Sequence, residues 1–175
     1  FAHQQHAYDR YKDEPYGALF CEMGTGKTKI SLDIMLNSSE EGALILAPTG
    51  LHLNWFHQEV PTHAHPSKTP LMYCWKGKPT SKKAQLALKA FIAAEHPFKM
   101  FLMNVEAIRT ATGFKPAEAF LKSLKSSHIL IDESTCIKNP TAKQTRLAMK
   151  LAKLATRKWV LNGTPITQGP LDLFS

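Results

Sequence analysis

The apolar run Ala18-Leu19-Phe20-Cys21 leads into Met23-Gly24-Thr25-Gly26-Lys27-Thr28, and Ile30, Ile34 and Met35 then recur at helical spacing to about Leu36. A strand, a glycine loop and a helix in that order constrain the fold more than any other feature of the chain. Gly24 and Gly26 let the backbone curl so that several N–H groups converge on one spot. The helix that starts there adds the positive end of its dipole. In such a loop Lys27 reaches the outer phosphates of a nucleotide, and the Thr28 hydroxyl binds Mg²⁺. The full pattern G-x-x-x-x-G-K-[ST] opens on a glycine, where this chain has Cys21. The alternative is a tight glycine turn beside an incidental Gly-Lys-Thr. It does not account for a strand before the loop and a helix after it.

The rest of the chain alternates in the same way. The continuous apolar run at 43–47 reads as a strand covered on both faces, and the segments 71–75, 100–103, 128–131 and 158–161 read as further strands. Between them, helical patterns follow Gly50 through Trp55 and Glu59, and then span 81–95, 116–125 and 141–155. Alternation of this kind predicts an α/β domain of three layers with a mostly parallel central sheet. The stretches 61–70 and 76–83 read as surface loops, neither long enough to divide the 175 residues into two domains.

Asp132 and Glu133 end the strand at 128–131, so they emerge at the carboxyl edge of the sheet, where the glycine loop also emerges. Hydrolysis of a bound nucleotide needs metal support and a group that positions water. Asp132 is placed to hold Mg²⁺, mostly through water, and Glu133 to orient and deprotonate the attacking water. An acidic pair that merely caps the next turn is the competing reading.

These residues resemble motifs of the superfamily 2 helicases. Met23 to Thr28, Asp132-Glu133-Ser134 and Gly163-Thr164-Pro165 correspond to motifs I, II and III. The continuation to Ile137-Lys138-Asn139, and the string Leu161 to Ile166 running on to Pro170-Leu171-Asp172-Leu173-Phe174, are similar to the Swi/Snf-type branch of ATP-driven double-stranded DNA translocases. Ala47-Pro48 with Asn54-Trp55 and Glu59 resembles its motif Ia region, and Asn104-Val105-Glu106 the short motif after the fourth strand. His3-Gln4 with Ala7 resembles the Q motif that reads adenine. The likeness covers essentially the whole chain.

That resemblance implies a RecA-like P-loop NTPase fold and the first of two such lobes, the second supplying arginines to ATP. It implies ATP held by Gln4, Met23, Gly24, Thr25, Gly26, Lys27 and Thr28. Pro48, Thr49, Asn54, Asn104, Lys138, Asn139, Gly163, Thr164 and Pro165 would contact DNA or couple it to the nucleotide. Two positions depart from the family pattern. Thr135 stands where motif II usually has His, which bears on coupling, and Asn162 stands where motif III usually has Thr. The short connections resemble compact bacterial and phage members. The chain opens on Phe1 and closes on Ser175, and we expect it to be a fragment.

Charge agrees with a polyanionic partner: the formal net charge is +8. Between Ser134 and Leu171 there is no Asp or Glu. Lys143, Arg146, Lys150 and Lys153 would share one helix face beside Leu147, Leu151 and Leu154. That face reads equally as a track for phosphates or as a solvated surface. Contacts to the DNA backbone alone imply low sequence specificity. No apolar run nears the roughly 20 residues of a membrane span. Three scattered cysteines, Cys21, Cys74 and Cys136, suggest reduced thiols inside a cell, in the cytoplasm or in a nucleus. Cys21 is expected to be a small buried hydrophobe. His57, His63, His65 and Cys74 match no common zinc spacing. Trp55 is expected to pack in the core rather than stack on a base. Two other readings stand beside the translocase: the motor of a restriction or repair machine, and a nucleotide- and DNA-binding module with negligible turnover of its own.

Overall fold

The computed structural model describes residues 1–163. Helix α1 (Ala2–Tyr11) leads to β1 (Tyr16–Phe20), and the glycine loop connects β1 to α2 (Lys27–Leu36). Strand β2 (Gly42–Ala47) is followed by α3 (Leu51–Asn54), a π-helical stretch (Trp55–Glu59) and α4 (Val60–His63). Then come β3 (Leu71–Cys74), α5 (Lys82–Ala93), β4 (Lys99–Asn104), α6 (Ala111–Lys122), β5 (His128–Ile131), α7 (Lys143–Ala152) and β6 (Arg157–Asn162). The strands lie in the order β1-β6-β5-β2-β4-β3, and every pair is parallel. All their carboxyl ends therefore meet one edge of the sheet.

The two-residue period of a strand explains the three layers. Leu44, Leu46, Phe101, Met103, Ile129 and Ile131 face one core with Phe91, Phe120 and Leu151 from α5, α6 and α7. Ala43, Ile45, Ala47, Met100, Leu102 and Leu130 face the other, with Ile30, Ile34 and Trp55. Both faces of the central strands are dry, which is why those segments read as unbroken apolar runs.

Several boundaries differ from the sequence pattern. Helix α1 lacks any fully buried residue, so its weak periodicity left no signal beyond His3-Gln4; only one side, through Ala7, Tyr8 and Tyr11, packs on the second core. Helix α6 starts five residues before Pro116, because the Thr110 hydroxyl caps the Gly113 N–H at 3.3 Å. In α7 the buried positions are Thr145, Ala148 and Leu151; Leu154, expected in the apolar stripe, lies beyond the helix and is 39% exposed. Lys143, Arg146, Lys150 and Lys153 are all exposed.

The opposite edge of the sheet is tied by a buried polar cluster. His128 opens β5, Arg157 opens β6 and Glu40 precedes β2. Arg157 Nε donates to Glu40 Oε1 at 2.8 Å, and His128 Nε2 lies 2.8 Å from Ser38 Oγ and 3.3 Å from Glu40 Oε2. The hydrogen bond from His128 is the largest influence on Glu40. Burial opposes it, but with Ser38 and the Arg157 charge it brings the Glu40 pKa from 4.5 to about 2. Burial pushes His128 below its ordinary 6.5, outweighing the attraction of Glu40.

Both shifts act in the same direction. The unfolded chain takes up a proton on His128 near pH 6.5 that the folded chain declines, so stability falls as pH drops through 6.5. Glu40 contributes fully above pH 4.5, and its contribution of about 3 kcal/mol is lost as pH falls toward 2. Urea unfolding should therefore give a free energy that declines steadily on acidification. In Glu40→Gln the decline between pH 4.5 and 2 should flatten, at reduced stability near neutrality. An identical acid limb in the variant would contradict this account.

Candidate nucleotide and DNA site

The glycine loop leaves β1 at the carboxyl edge and turns through two left-handed residues, Gly24 (φ 80°) and Gly26 (φ 84°). The left-handed backbone at Gly26 strains any side chain, and a Cβ there would lie 2.0 Å from Gln4 Nε2 and displace it. Gln4 Nε2 donates to the Thr25 carbonyl at 3.1 Å, and His3 Nε2 lies 3.0 Å from the same oxygen. Helix α1 is thereby pinned onto the loop. Gly26 caps α2, so Lys27 and Thr28 are its first two residues. Lys27 Nζ donates to the carbonyls of Cys21 at 2.8 Å and Glu22 at 2.9 Å. Cys21 is half-buried and lies just past the end of β1; its carbonyl is the group in use, so it is not the buried hydrophobe expected. Met23 is 86% exposed at the mouth of the loop.

Asp132 arrives from β5, two strands away. It is buried, at 7% exposure, and its carboxylate is held from two sides. Trp55 Nε1 donates to Oδ2 at 2.8 Å, and the Glu133 N–H donates to Oδ1 at 2.9 Å. Burial raises the Asp132 pKa above the ordinary carboxylate value, while Trp55, the Glu133 N–H and the charge of Lys27 oppose the rise. Trp55 packs in the core as expected and also orients the acid. That second role had no signal in the chain, because it depends on the π-helical stretch that begins at Trp55. Glu133 has φ 53°, the one non-glycine residue with positive φ among the described residues. This conformation ends the strand abruptly and starts the 3₁₀ turn Ser134–Ile137.

Strand β6 runs between β1 and β5, and its end closes the site. A Cβ at Gly163 would lie 3.4 Å from Met23 Cγ and 4.0 Å from Lys27 Nζ. The phosphate loop, the acidic strand end and Gly163 thus converge. Thr164, Pro165 and the string from Ile166 to Phe174 lie outside the described residues. The loop fits a nucleotide by its own geometry: two left-handed glycines, a helix N-terminus of ten residues and a lysine in the mouth. Thr28, in the first turn of α2, and Asp132 would be the oxygen donors to Mg²⁺.

The expected DNA contacts divide into groups. Thr49 Oγ1 donates to Glu106 Oε2 at 2.9 Å, and Asn104 Nδ2 donates to the same oxygen at 3.1 Å. The Thr49 N–H also faces Oε1 at 3.5 Å. Burial would raise the Glu106 pKa, but these hydrogen bonds together with that of its own backbone N–H hold it low. Glu106 is thus the ionised hub of the cluster. Asn54 stands apart: it donates to Glu59 Oε1 at 3.0 Å, and Glu59 is near enough to Asp132 to push its pKa up. Pro48 caps α3 through its carbonyl, which accepts from Leu51 N at 3.0 Å. Lys138 follows the 3₁₀ turn, and Asn139 Oδ1 accepts from the Thr141 N–H at 2.9 Å. Cys136 lies in the 3₁₀ turn that follows the acid pair. Burial and the neighbouring carboxylates push its thiol up to about 12, so it stays protonated.

Comparison with known proteins decides the family. The model of the SNF2-related domain matches residues 4–175. The chain belongs to the SNF2-related domain family. Among curated relatives, this SNF2-related domain is 26% identical over 155 residues to the helicase-like transcription factor of Oryctolagus cuniculus, covering 87% of the chain and 14% of that protein. It is 31% identical over 139 residues to the DNA repair protein RAD5 of Gibberella zeae, covering 75% and 12%. With the ATP-dependent helicase rhp16 of Schizosaccharomyces pombe it shares 24% identity over 170 residues, covering 95% and 19%. The SNF2-related domain thus spans less than a fifth of these relatives. Its fold is that of the UvsW helicase of bacteriophage T4, with a TM-score of 0.63 at 13% identity over 99% of this chain and 56% of that one. No helix among the described residues is long and apolar enough to cross a membrane.

Proposed function

We propose that this SNF2-related domain is the ATP-binding lobe of a DNA translocase that couples ATP hydrolysis to movement along duplex DNA. The observation that carries the reading is the convergence at the end of β6, where Gly163 approaches both Met23 and Lys27 while Lys27 acts electrostatically on Asp132. Residues that differ in their expected partners thereby share one small volume. Gln4 holds the adenine side and Gly24, Thr25 and Gly26 cradle phosphates with their N–H groups. Lys27 neutralises the outer phosphates. Mg²⁺, when bound by Thr28 and Asp132, supplies charge neutralisation at the phosphates. Glu133 orients water and takes its proton.

A second lobe elsewhere in the polypeptide completes the site in this reading, and lobe closure changes the grip on DNA and the phosphate geometry together. Duplex backbone contacts come from the Thr49–Asn104 cluster and from Lys138 and Asn139, so the track is not sequence-specific. Similarity to relatives such as the DNA repair protein RAD5 favours a place in DNA repair. We place the protein in the compartment that holds DNA. The test is ATP hydrolysis by the full-length protein with and without duplex DNA. Strong stimulation is expected, with little turnover by residues 1–175 alone. A rate in the full-length protein that ignores added DNA would overturn the proposal.

A further inference from the structure

We infer that Lys76, with His57 beside it, forms an additional phosphate-contact subsite for duplex DNA on the β3 side of the sheet edge. The inference rests on the DNA-motor reading above and deepens it. Thr49 and Asn104 are the expected DNA contacts on this part of the surface. Yet the Thr49 hydroxyl and the Asn104 amide both donate to Glu106 Oε2, at 2.9 and 3.1 Å. A phosphate approaching them meets an ionised carboxylate that already uses those donors. Two anions side by side repel, so binding here requires a cation near the cluster.

The structure places one there. A hollow of about 590 Å³ at the carboxyl ends of the strands is lined by Thr49 and Asn104 together with His57, Lys76 and Gly77. Lys76 and His57 are both exposed. The root of Lys76 is rigid. Trp75 is buried, at 3% exposure, and its N–H extends the sheet by donating to the Leu102 carbonyl at 2.8 Å. Its own carbonyl lies 3.2 Å from Nε2 of the buried His52, which also lines the hollow. His52 Nδ1 has no hydrogen-bond partner among the described residues, so Nε2 as donor to Trp75 is the ring's single polar tie. Gly77 follows with φ 103°, and nothing lies within 4 Å of where its Cβ would stand. The chain thus turns away just after Lys76 and leaves open space for a sugar–phosphate strand. A point charge on a fixed root beside an open wall suits a backbone phosphate, and it carries no information about base sequence.

The experiment uses the full-length protein and a fluorescently labelled DNA duplex, with binding followed by anisotropy across a range of KCl concentrations. Lys76→Ala should weaken binding roughly tenfold and lower the slope of log K against log salt by about 0.9, the signature of one lost phosphate contact. Lys76→Arg should restore both. Lys89→Ala, which removes the same charge from an exposed position on α5, should leave the slope as it was. Wild-type affinity and slope in Lys76→Ala would overturn the inference while leaving the motor intact, and so would an equal loss in Lys89→Ala. A wild-type protein that binds no duplex would overturn this inference and the proposed function together.

Discussion

Nucleotide binding by the full-length protein is expected to fall at least about 100-fold in Lys27→Ala, as measured by titration with a fluorescent ATP analogue. The ammonium sits in the loop mouth, 2.8 Å from the Cys21 carbonyl and 2.9 Å from that of Glu22. Those carbonyls hold it at the start of α2, the positive end of the helix dipole. A triphosphate accepts charge-assisted hydrogen bonds there, each contributing about 1.5–3 kcal/mol. Removing the lysine deletes that set and leaves the glycine geometry in place. A second effect has a definite sign. The Lys27 charge lowers the raised pKa of Asp132, so its loss moves Asp132 further toward the protonated form and weakens it as a metal ligand. Unchanged affinity in Lys27→Ala would refute the assignment of the loop.

Glu133→Gln should separate binding from chemistry. Glutamine has the size of glutamate and can hydrogen-bond water, but it cannot accept the proton. Hydrolysis in the presence of duplex DNA should drop by about 10²- to 10⁴-fold, with nucleotide affinity within about twofold of wild type. The geometry makes this a clean substitution. The Glu133 backbone N–H, which supports Asp132 Oδ1 at 2.9 Å, is retained, and so is the left-handed backbone at φ 53°. Single-turnover hydrolysis is the measurement, because it reads the chemical step apart from product release. A variant that hydrolyses ATP as fast as wild type would show that another group handles the water.

The strands and the shared edge of the site were legible from the chain because burial on both faces leaves continuous apolar runs, and because one glycine loop and one acidic pair each sit at a strand end. Alternation alone indicated a parallel sheet, and the structure has six parallel strands. What could not be read was set by contacts between distant segments. Helix α1 hides because it buries only one edge and earns its place through Gln4 on Gly26. The extent of α6 was misplaced because a Thr cap outweighed the usual reading of Pro116 as a start. The contact of Asn54 with Glu59, which acts on Asp132, appears only once the helix that carries both is built. Glu106 was visible only as the end of a short motif. Its role as the acceptor that gathers Thr49 and Asn104 appears once β2 and β4 are paired.

The bond from Trp55 to Asp132 crosses 77 positions of the chain. It makes residues 55 and 132 a single heritable unit. A chimera that imports the segment 48–59 from another family member must bring an indole donor at 55, or accept an acid whose charge is worse supported. Lineages that lose the tryptophan should show a compensating donor near the acid, so the two motifs are expected to drift together rather than apart.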